Sequence, residues 1–304
     1  MEYERFEVRD PMFGASNVYV IGETLVDTGS IPKSAGSVAP IERDLDETVL
    51  TNVDRIVVTH PHVDHIGGSE TAQTLRTVPH VVYEGAETVL TDFGGYLDQV
   101  ITEWRSIQRA LPPENDLVDF EWPRGLSFAD HTLDIEQTVS DGDTVQLGDE
   151  PFEVMHTPGH DRHHLALVHK QSGTVITGDL VLEHGYFIRG PLRAGVAAYE
   201  TSLQRLKEVD PMQLFPGHGD VIEDPIQAID HCLEISKELR RGVRTAVTNT
   251  PTTLGAVVDR LLDEAVDDYT RWLFTTTALA YLEEMADDGA LVLDWEDGVT
   301  VRST

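Results

Sequence analysis

The sequence predicts a layered α/β fold that is followed by a smaller unit of helices and a hairpin. Short apolar strands alternate with helical segments through about residue 225, ligand-type side chains follow several of those strands, and the pattern changes after Pro251. Interleaved strands and helices favour sheets that are covered by helices. Because 304 residues exceed the usual size of one domain, we expect a first domain at 1–225 and a second unit at 226–304.

The individual elements are predicted from apolar side chains that recur every second residue in strands and every 3.6 residues in helices. Strands are predicted at 17–22, 24–29, 55–59, 81–83, 144–147, 152–156, 164–169, 174–177 and 213–215. Helices are predicted at 41–50, 199–209 and 225–247. Between 85 and 130 the apolar spacing is helical as far as Pro112-Pro113, so this stretch is expected to be a helical insertion in the first domain.

The end of the chain combines two helices with a hairpin. The helices are predicted at 254–264 and 276–286, and two strands, 291–295 and 299–302, flank the hairpin signal Glu296-Asp-Gly. Helices followed by such a hairpin resemble a winged helix. This unit could form a homodimer contact as readily as a wall of a substrate site.

The charge balance bears on the partners of the protein. The chain has 54 Asp and Glu against 22 Lys and Arg, which gives a formal charge of −32. Such a surface offers few cations to replace phosphate counterions, so nucleic acid is a doubtful partner. In molar salt the Debye length is about 3 Å and the self-repulsion is screened. The composition therefore predicts adaptation to a salt-rich cytoplasm, as in halophilic microbes.

Hydropathy and cysteine content bear on the compartment. No apolar run reaches membrane-spanning length, and the N-terminus, MEYERFEV, is charged where a signal peptide would be apolar. We therefore expect a cytoplasmic protein without a membrane partner. The single cysteine, Cys232, excludes an internal disulfide or a thiolate metal cluster, and we interpret it as a small apolar helix residue.

The strongest local signal is a cluster of metal-ligand residue types at 59–68. Four candidate ligands fall within six residues, directly after an apolar strand: His60, His62, Asp64 and His65. Sites in layered α/β folds gather at strand ends. A tightening turn at Gly67-Gly68 is expected to let Asp64 and His65 converge on the two histidines. Three later candidates, His160, Asp179 and His218, also follow predicted strands and lie beside glycine.

These segments carry a resemblance to a known family. HPHVDH, TPGH, GD and PGHG, in this order, resemble the signature of the metallo-β-lactamase superfamily over about residues 15–225. The resemblance implies a four-layer αββα sandwich with a two-metal site at one edge. It implies that one metal ion is bound by His60, His62 and His160. It implies that the second is bound by Asp64, His65 and His218, and that Asp179 bridges the two.

The chemistry of these ligands is consistent with that implication. Imidazole and carboxylate together suit zinc, with manganese and iron as competitors, so we expect two zinc ions per chain. A bound zinc lowers the pKa of water from about 15.7 to about 7, so the expected nucleophile is a metal-bridging hydroxide. Asp64 is the expected catalytic residue, because it can bind metal and also take or return a proton.

The resemblance leaves the substrate open, because the superfamily attacks several classes of ester. Asp64 together with a bridging Asp179 resembles the glyoxalase II and nuclease branches more than the β-lactamases. TPGHDRHHLAL and the winged-helix-like end most resemble the β-lactamase-like protein 2 and glyoxalase II-like branch. The first hypothesis is hydrolysis of a small ester or thioester, with residues 85–130 as a lid over the acyl group.

Two other hypotheses remain at this point. The second is an endoribonuclease or phosphodiesterase that acts on single-stranded RNA or small phosphodiesters. Residues 251–304 carry 12 Asp and Glu against 3 Lys and Arg, which argues against a grip on nucleic acid by the winged-helix-like end. The third is a non-hydrolytic metal-site protein that serves as a redox partner or binding module.

Four further residues have weaker signals. Asp27 resembles a family position that orients metal ligands, although a turn residue would have the same pattern. His164 is either support for the ligands or strand packing. His184 and Tyr186 follow Asp179 in a loop that could face substrate.

Overall fold

The fold was analysed in a computed structural model of the chain. The structure describes residues 1–10, 14–32, 37–109, 132–182, 195–262, 266, 268–295 and 299–304. The predicted loop residues His184 and Tyr186 lie outside these ranges, as does the part of the predicted insertion from 110 to 131.

A six-stranded mixed sheet forms one half of the core, with its strands side by side in chain order. Its strands are β1 (Glu4–Asp10), β2 (Gly14–Ile21), β3 (Thr24–Val26), β4 (Arg55–Val57), β5 (His80–Tyr83) and β6 (Ile135–Val139). The first three strands pair antiparallel, and β3 to β6 pair parallel. The loops that leave β3, β4 and β5 therefore leave from the same edge of the sheet.

A five-stranded sheet forms the other half, in the order β11-β10-β9-β8-β7. Its strands are β7 (Thr144–Leu147), β8 (Glu150–His156), β9 (Leu165–His169), β10 (Thr174–Gly178) and β11 (Gln213–Pro216). Only the β10–β11 pair is parallel among the pairs described. The loops after β10 and β11 therefore also meet at one edge.

The alternation of side chains along β2 shows how the two sheets are layered. Tyr19 and Ile21 belong to an apolar cluster that contains residues of both sheets, including Phe152 and Phe215. Val18 and Val20 point to the opposite face, into a cluster shared with the helices of the first half. The two sheets thus pack face to face, and each has helices on its outer face. This is the αββα arrangement that the family resemblance implies.

Helices cover the outer faces of both sheets. The helices are α1 (Pro40–Asp44), α2 (Glu47–Asn52), α3 (Val63–Thr71), α4 (Ala86–Leu90), α5 (Phe93–Arg109), α6 (Val196–Glu208), α7 (Pro225–Ala246), α8 (Leu254–Leu261) and α9 (Asp268–Asp287). Buried residues of α1 to α4 and the start of α5 pack on the first sheet. Buried residues of α6 to α9 pack in the cluster on the second sheet.

Helix α5 joins the two outer layers. Phe93 and Leu97, near its start, belong to the cluster on the first sheet, whereas Ile107, near its end, belongs to the cluster on the second. The same second cluster contains Leu180 and Val181, the two residues after Asp179. The described part of the predicted insertion is therefore helical and spans the sandwich.

The C-terminal residues contain a third sheet, in the order β12-β14-β13. Its strands are β12 (Thr252–Thr253), β13 (Leu291–Asp294) and β14 (Thr300–Ser303), and the predicted hairpin pairing of the last two is observed. Leu254, Leu282 and Val301 share one apolar cluster with Leu203 of α6, so packing is continuous across the predicted boundary at 225. A winged-helix classification of this unit stays a prediction.

Three differences from the predicted elements have physical causes. Strand β1 was not predicted because its sequence, ERFEVRD, alternates charged residues with few apolar ones, and only Val8 is fully buried. The predicted helix at 41–50 is two helices, because Leu45 is extended. Helix α9 begins at Asp268 and includes three poor helix formers, Thr275, Thr276 and Thr277. All three are buried, and the hydroxyls of Thr276 and Thr277 donate to the carbonyl of Leu273, which satisfies them inside the helix.

Across the described ranges, no helix combines the length and the apolar character that a membrane crossing requires.

Candidate metal centre

All seven candidate ligands come together at one edge of the sandwich. These residues, called the ligand cluster here, are His60, His62, Asp64, His65, His160, Asp179 and His218. They come from the loop after β4 and the start of α3, from the β8–β9 loop, and from the residues directly after β10 and β11. Because these segments leave the two sheets at the same edge, side chains more than a hundred residues apart become neighbours.

Three histidine nitrogens form the first group within the cluster. The Nε2 of His160 lies 3.2 Å from the Nε2 of His60 and 2.8 Å from the Nδ1 of His62. One candidate ligand atom from each residue lies within 4.8 Å of the others. Three imidazole nitrogens that face one point make the donor set of a tetrahedral zinc site with an open fourth position.

The second group combines a carboxylate with two imidazoles. Asp64, His65 and His218 each offer one ligand atom within 4.8 Å of the others. The Nε2 of His218 lies 3.3 Å from the Oδ2 of Asp64. His60 also groups with His65 and Asp179, so the two sets of ligands adjoin.

Asp179 lies between the two groups. Its Oδ1 is 3.4 Å from the Nε2 of His65, and its Oδ2 is 3.4 Å from the Nε2 of both His160 and His218. One carboxylate therefore faces a histidine of the first group and two histidines of the second.

Several ligand atoms are buried without a hydrogen bond. Among the described residues, the Nε2 atoms of His65 and His218 and the Oδ1 of Asp179 are buried and have no hydrogen-bond partner. Buried polar atoms normally have a partner, because losing water without replacement costs about 1–3 kcal/mol each. A divalent cation would satisfy all three at once, so the residues present fit a metal centre.

The cluster also has an electrostatic demand for cations. Burial lowers the pKa of His65, but the carboxylates of Asp179 and Asp27 outweigh burial and hold this pKa well above its ordinary value. Burial likewise opposes a charge on His218, yet Asp179 and Asp64 raise its pKa to about 9. The two buried carboxylates thus require positive charge, which protons on these histidines or divalent metal ions can supply.

Hydrogen bonds outside the cluster fix the protonated nitrogen of three histidines. The Nδ1 of His218 donates to the carbonyl of Ala15 at 2.6 Å, and the Nδ1 of His65 donates to the Oδ2 of Asp27 at 2.8 Å. Thr59 donates its hydroxyl proton to Asp27, so its oxygen accepts from the Nδ1 of His60 at 3.0 Å. In all three rings the Nε2 keeps its lone pair for the cluster.

Asp27 is the shared acceptor in this arrangement. It is 2% exposed and has a left-handed φ of 61°, which aspartate adopts more readily than most residues. Its Oδ1 also accepts from the backbone N–H of Thr59 at 2.8 Å. The structure therefore places Asp27 behind the ligands, as the first of the two sequence interpretations expected. Sequence analysis missed Thr59, although it directly precedes His60.

His164 supports the backbone at Asp179. Its Nε2 accepts from the N–H of Asp179 at 3.1 Å, so its Nδ1 carries the proton and donates to the hydroxyl of Thr157 at 2.7 Å. Burial lowers the pKa of His164 to about 4, which keeps the ring neutral for this role. The sequence left two interpretations of His164, support for the ligands and strand packing. These contacts agree with the first.

The glycine pair after the first motif does not form the expected turn. Gly67 and Gly68 lie inside α3, which runs unbroken from Val63 to Thr71. A Cβ on Gly68 would lie 2.2 Å from the carbonyl oxygen of Thr28, and one on Gly67 would lie 2.5 Å from the backbone of Ile31. The pair therefore lets α3 approach the loop after β3, and the convergence of Asp64 and His65 comes from the start of the helix.

Backbone hydrogen bonds join the loops that carry the ligands. The N–H of Leu165 donates to the carbonyl of Thr59, and the N–H of Gly217 donates to the carbonyl of Gly178. The N–H of Thr28 donates to the carbonyl of His65. Cys232 lies elsewhere, buried in α7, as expected of an ordinary helix residue.

Asp161 is a further buried residue that sequence analysis missed. It follows His160, is 2% exposed, and its Oδ2 lies 3.8 Å from the Nε2 of His62. Burial opposes its ionisation, but His163 and His62 hold its pKa at about 2. An acidic residue directly after a predicted ligand was the available signal.

Comparison with known proteins agrees with the site. The family model described as the metallo-beta-lactamase superfamily matches residues 11–218. The probable metallo-hydrolase YqjP of Bacillus subtilis is 24% identical over 92% of this chain and 90% of its own length. The beta-lactamase-like protein 2 homolog of Drosophila melanogaster is 26% identical over 71% of this chain. The match covers only 62% of the length of that relative.

A third relative and one solved structure complete the comparison. The acyl-coenzyme A thioesterase MBLAC2 of Gallus gallus is 28% identical over 64% of this chain and 68% of its own length. The crystal structure of a metallo-beta-lactamase family protein from Thermus thermophilus superposes with a TM-score of 0.72 at 19% identity, over 99% of this chain and 98% of that one. With the family model spanning most of the chain, this protein belongs to the metallo-beta-lactamase superfamily.

Proposed function

We propose that this metallo-hydrolase holds two zinc ions and hydrolyses a small thioester or ester. The observation that carries the proposal is the position of Asp179, whose two oxygens lie 3.4 Å from histidines of both ligand groups. A carboxylate that faces two adjoining donor sets is what a bridging ligand requires. Manganese and iron are the alternative metals for this mixture of imidazole and carboxylate donors.

The chain supplies two sets of ligands and a bridge. His60, His62 and His160 would hold one ion, Asp64, His65 and His218 the other, and Asp179 both. Metal ions held there would supply a water of lowered pKa between them as the nucleophile and would stabilise the oxyanion of the tetrahedral intermediate. The hydrogen bonds described above fix the orientation of the ligands. They are made by Thr59, Asp27 and His164.

Asp64 is the candidate catalytic base. In the proposed hydrolysis one water adds its oxygen to the acyl carbon, and the bond from that carbon to sulfur breaks. A proton from the attacking water passes to the carboxylate of Asp64, and the products are a carboxylic acid and a thiol. A bound cation lowers the pKa of a carboxyl group, so Asp64 keeps this proton only briefly and passes it to the departing sulfur or to solvent. A thiolate, whose conjugate acid has a pKa of about 8.5, needs that proton less than an alkoxide does.

Two observations support an acyl substrate. Some relatives bear the name thioesterase, among them acyl-coenzyme A and acyl-carrier-protein thioesterases. The apolar cluster that contains Leu180 and Val181, directly after Asp179, also contains Ile107 of α5. We therefore propose that the 85–130 segment contributes apolar wall or lid to the acyl site, within a catalytic domain at 1–225.

A phosphodiester substrate is the second candidate, because Asp64 together with a bridging Asp179 also resembles the nuclease branch of the superfamily. The formal charge of −32 works against it, since a polyanion would approach a strongly negative surface. One assay separates the candidates: acyl thioesters, bis-p-nitrophenyl phosphate and labelled single-stranded RNA, each in about molar KCl, where surface charge is screened. Turnover of thioesters supports the proposal, and turnover of RNA alone overturns it.

The metal requirement is tested on the same preparations. Elemental analysis should give about two metal ions per chain for the native protein. Chelator treatment and His62→Ala should each abolish turnover. Added zinc should restore turnover to the chelated native protein but not to the His62→Ala variant. The matched control is His231→Ala, because His231 lies in α7, away from the ligand cluster. A chelated protein that keeps full activity would refute the mechanism.

A further inference from the structure

His62 differs from three other histidines of the ligand cluster in what supports its outer nitrogen. The outer nitrogens of His60, His65 and His218 each donate to an oxygen 3.0 Å away or closer. The inner nitrogen of His62 is Nδ1, 2.8 Å from the Nε2 of His160. Its outer Nε2 is buried and has no hydrogen bond among the described residues.

The carboxylate of Asp161 faces this outer nitrogen. Its Oδ2 lies 3.8 Å from the Nε2 of His62. When a neutral imidazole binds a metal through Nδ1, its proton must be on Nε2, which makes Nε2 a donor. A shift of about 1 Å between ring and carboxylate would bring donor and acceptor to hydrogen-bond distance.

A purely structural role explains only half of Asp161. Its Oδ1 accepts from the backbone N–H of His163 at 2.7 Å, which is a turn that aspartate commonly forms with the residue two positions on. That contact uses Oδ1, whereas Oδ2 faces His62 from a side chain that is only 3% exposed. A buried carboxylate oxygen is costly unless a donor or a positive charge faces it.

We propose that Asp161 is a positioning residue for His62: its Oδ2 accepts the Nε2–H of His62 and thereby directs Nδ1 at the first metal ion. This inference rests on the proposed metal centre. The His163 N–H holds one carboxylate oxygen in place, so the other has a fixed direction. The carboxylate also makes the imidazole a stronger ligand, because it favours positive charge on the ring.

The first test measures zinc affinity directly. Asp161→Ala and Asp161→Asn are titrated with zinc against a chromophoric chelator, and the two binding steps are fitted separately. Loss of an outer hydrogen-bond partner of a metal-bound histidine typically weakens binding by about 10–100-fold. We expect a loss of this size in one of the two steps for Asp161→Ala and a smaller loss for Asp161→Asn, whose amide oxygen still accepts.

The matched control is Asp143→Ala. Asp143 also accepts a backbone N–H through its carboxylate, from Ser140 at 2.8 Å, but it lies in the exposed turn before β7. It should lose stability without losing zinc affinity. Equal zinc affinities for the native protein and both Asp161 variants would overturn the positioning role.

A second readout separates positioning from folding. Long-range proton–nitrogen spectra of the zinc-loaded protein identify which nitrogen of each histidine carries the proton. For His62 we expect Nε2–H in the native protein, with its proton resonance shifted in Asp161→Ala while the spectra of His65 and His218 stay unchanged. An unshifted His62 signal would overturn the inference. A native protein that binds no zinc would instead overturn the proposed metal centre itself.

Discussion

The Oδ2 of Asp27 lies 2.8 Å from the Nδ1 of His65, and the same oxygen accepts the hydroxyl proton of Thr59 at 2.8 Å. One buried carboxylate outside the ligand cluster thus fixes one histidine directly and another, His60, through Thr59. Because His60 and His65 belong to different ligand groups, Asp27 connects both halves of the candidate centre.

Replacing Asp27 should therefore weaken both metal sites. Asp27→Asn keeps the left-handed backbone accessible but loses the charge and one acceptor oxygen. We expect zinc affinity to fall by about 10–100-fold, with a small change in thermal midpoint. Asp27→Ala should lose similar affinity and a further 1–2 kcal/mol or so of stability, because its φ of 61° is strained for alanine. Chelator competition and thermal unfolding measure the two effects, and an Asn variant with native affinity would contradict the assigned role.

Glu70 gives the protein a pH-dependent stability. Both of its carboxylate oxygens are buried without a hydrogen bond among the described residues. Burial raises its pKa from the ordinary 4.5 to about 8, and Arg76 only partly opposes this. Between these two values the folded protein holds a proton that the unfolded chain has released. The stability that this proton contributes is fully present below the pKa of Glu70 in the unfolded chain, 4.5. It is lost as pH rises through the folded pKa of about 8.

Glu70→Gln should remove this dependence. The variant cannot ionise, so its gain in unfolding free energy over the native protein should grow between pH 6 and pH 9, to on the order of 3 kcal/mol. Denaturant unfolding of metal-loaded samples at each pH gives the difference, in which the titrations of other groups cancel. A constant difference across this range would show that Glu70 is not the titrating group.

The ligand cluster could be predicted from sequence because its members are marked locally. His60, His62, Asp64 and His65 are nearly contiguous, and His160 and His218 each follow Pro-Gly. Asp161 and Thr59 are adjacent to ligands in the sequence, but their roles, like that of Ala15, depend on distances between segments far apart in the chain. The left-handed backbone that aims Asp27 at His65 is likewise fixed by tertiary contacts.

The same division holds for the fold. Strands such as β9 and β10 are wholly buried and mostly apolar, and they were predicted almost to the residue, since both faces of each are covered. Strand β1 has charged residues on one face and was missed. Gly67-Gly68 was read as a turn from its glycines alone. Only the approach of the Thr28 carbonyl to Gly68 and of the Ile31 backbone to Gly67 shows why a helix there needs two residues without a Cβ.

Gly217 should be as sensitive to substitution as a ligand. A Cβ at this position would lie 2.4 Å from the Oδ1 of Asp179 and 2.7 Å from the Cε1 of His65. Gly217→Ala should therefore displace the carboxylate of Asp179 and reduce bound metal below the native stoichiometry, as measured by elemental analysis. The control is Gly289→Ala, where no atom lies within 4 Å and the φ of 72° costs stability only. Full metal content in the Gly217 variant would show that Asp179 can move without loss of the site.

Salt should strengthen the fold far more than in a protein of balanced charge. The formal charge of −32 produces repulsion that acts over about 10 Å at 0.1 M salt and about 3 Å at 1 M. We expect the thermal midpoint to rise steeply between these concentrations of KCl. An equimolar non-ionic osmolyte is the control, because it changes water activity without screening. A midpoint that is the same in both KCl concentrations would contradict adaptation to a salt-rich cytoplasm.

Arg240 of α7 holds two carboxylates from different parts of the chain. Its guanidinium donates to Glu200 of α6 at 3.1 Å and to Glu284 of α9. The side chains of Glu200 and Glu284 are 26% and 18% exposed, so removing the cation leaves two partly desolvated carboxylates that repel each other. Arg240→Met should lower the unfolding free energy by about 1–3 kcal/mol, and adding Glu284→Gln should restore part of it.

The same variant tests whether residues 226–304 unfold together with the residues that carry the ligand cluster. Helix α6 packs on the ligand-bearing loop, since Ser202 donates to the carbonyl of Pro158 at 2.8 Å and Gly159 lies against Tyr199. It also shares an apolar cluster with α7, α8 and α9. We therefore expect one cooperative transition in the native protein and in Arg240→Met, with release of the bound metal and loss of helical signal at the same midpoint. Helix loss that precedes release of the metal would instead show that the C-terminal unit unfolds independently. The apolar cluster shared with α6 would then not couple the unfolding of this unit to that of the ligand-bearing loops.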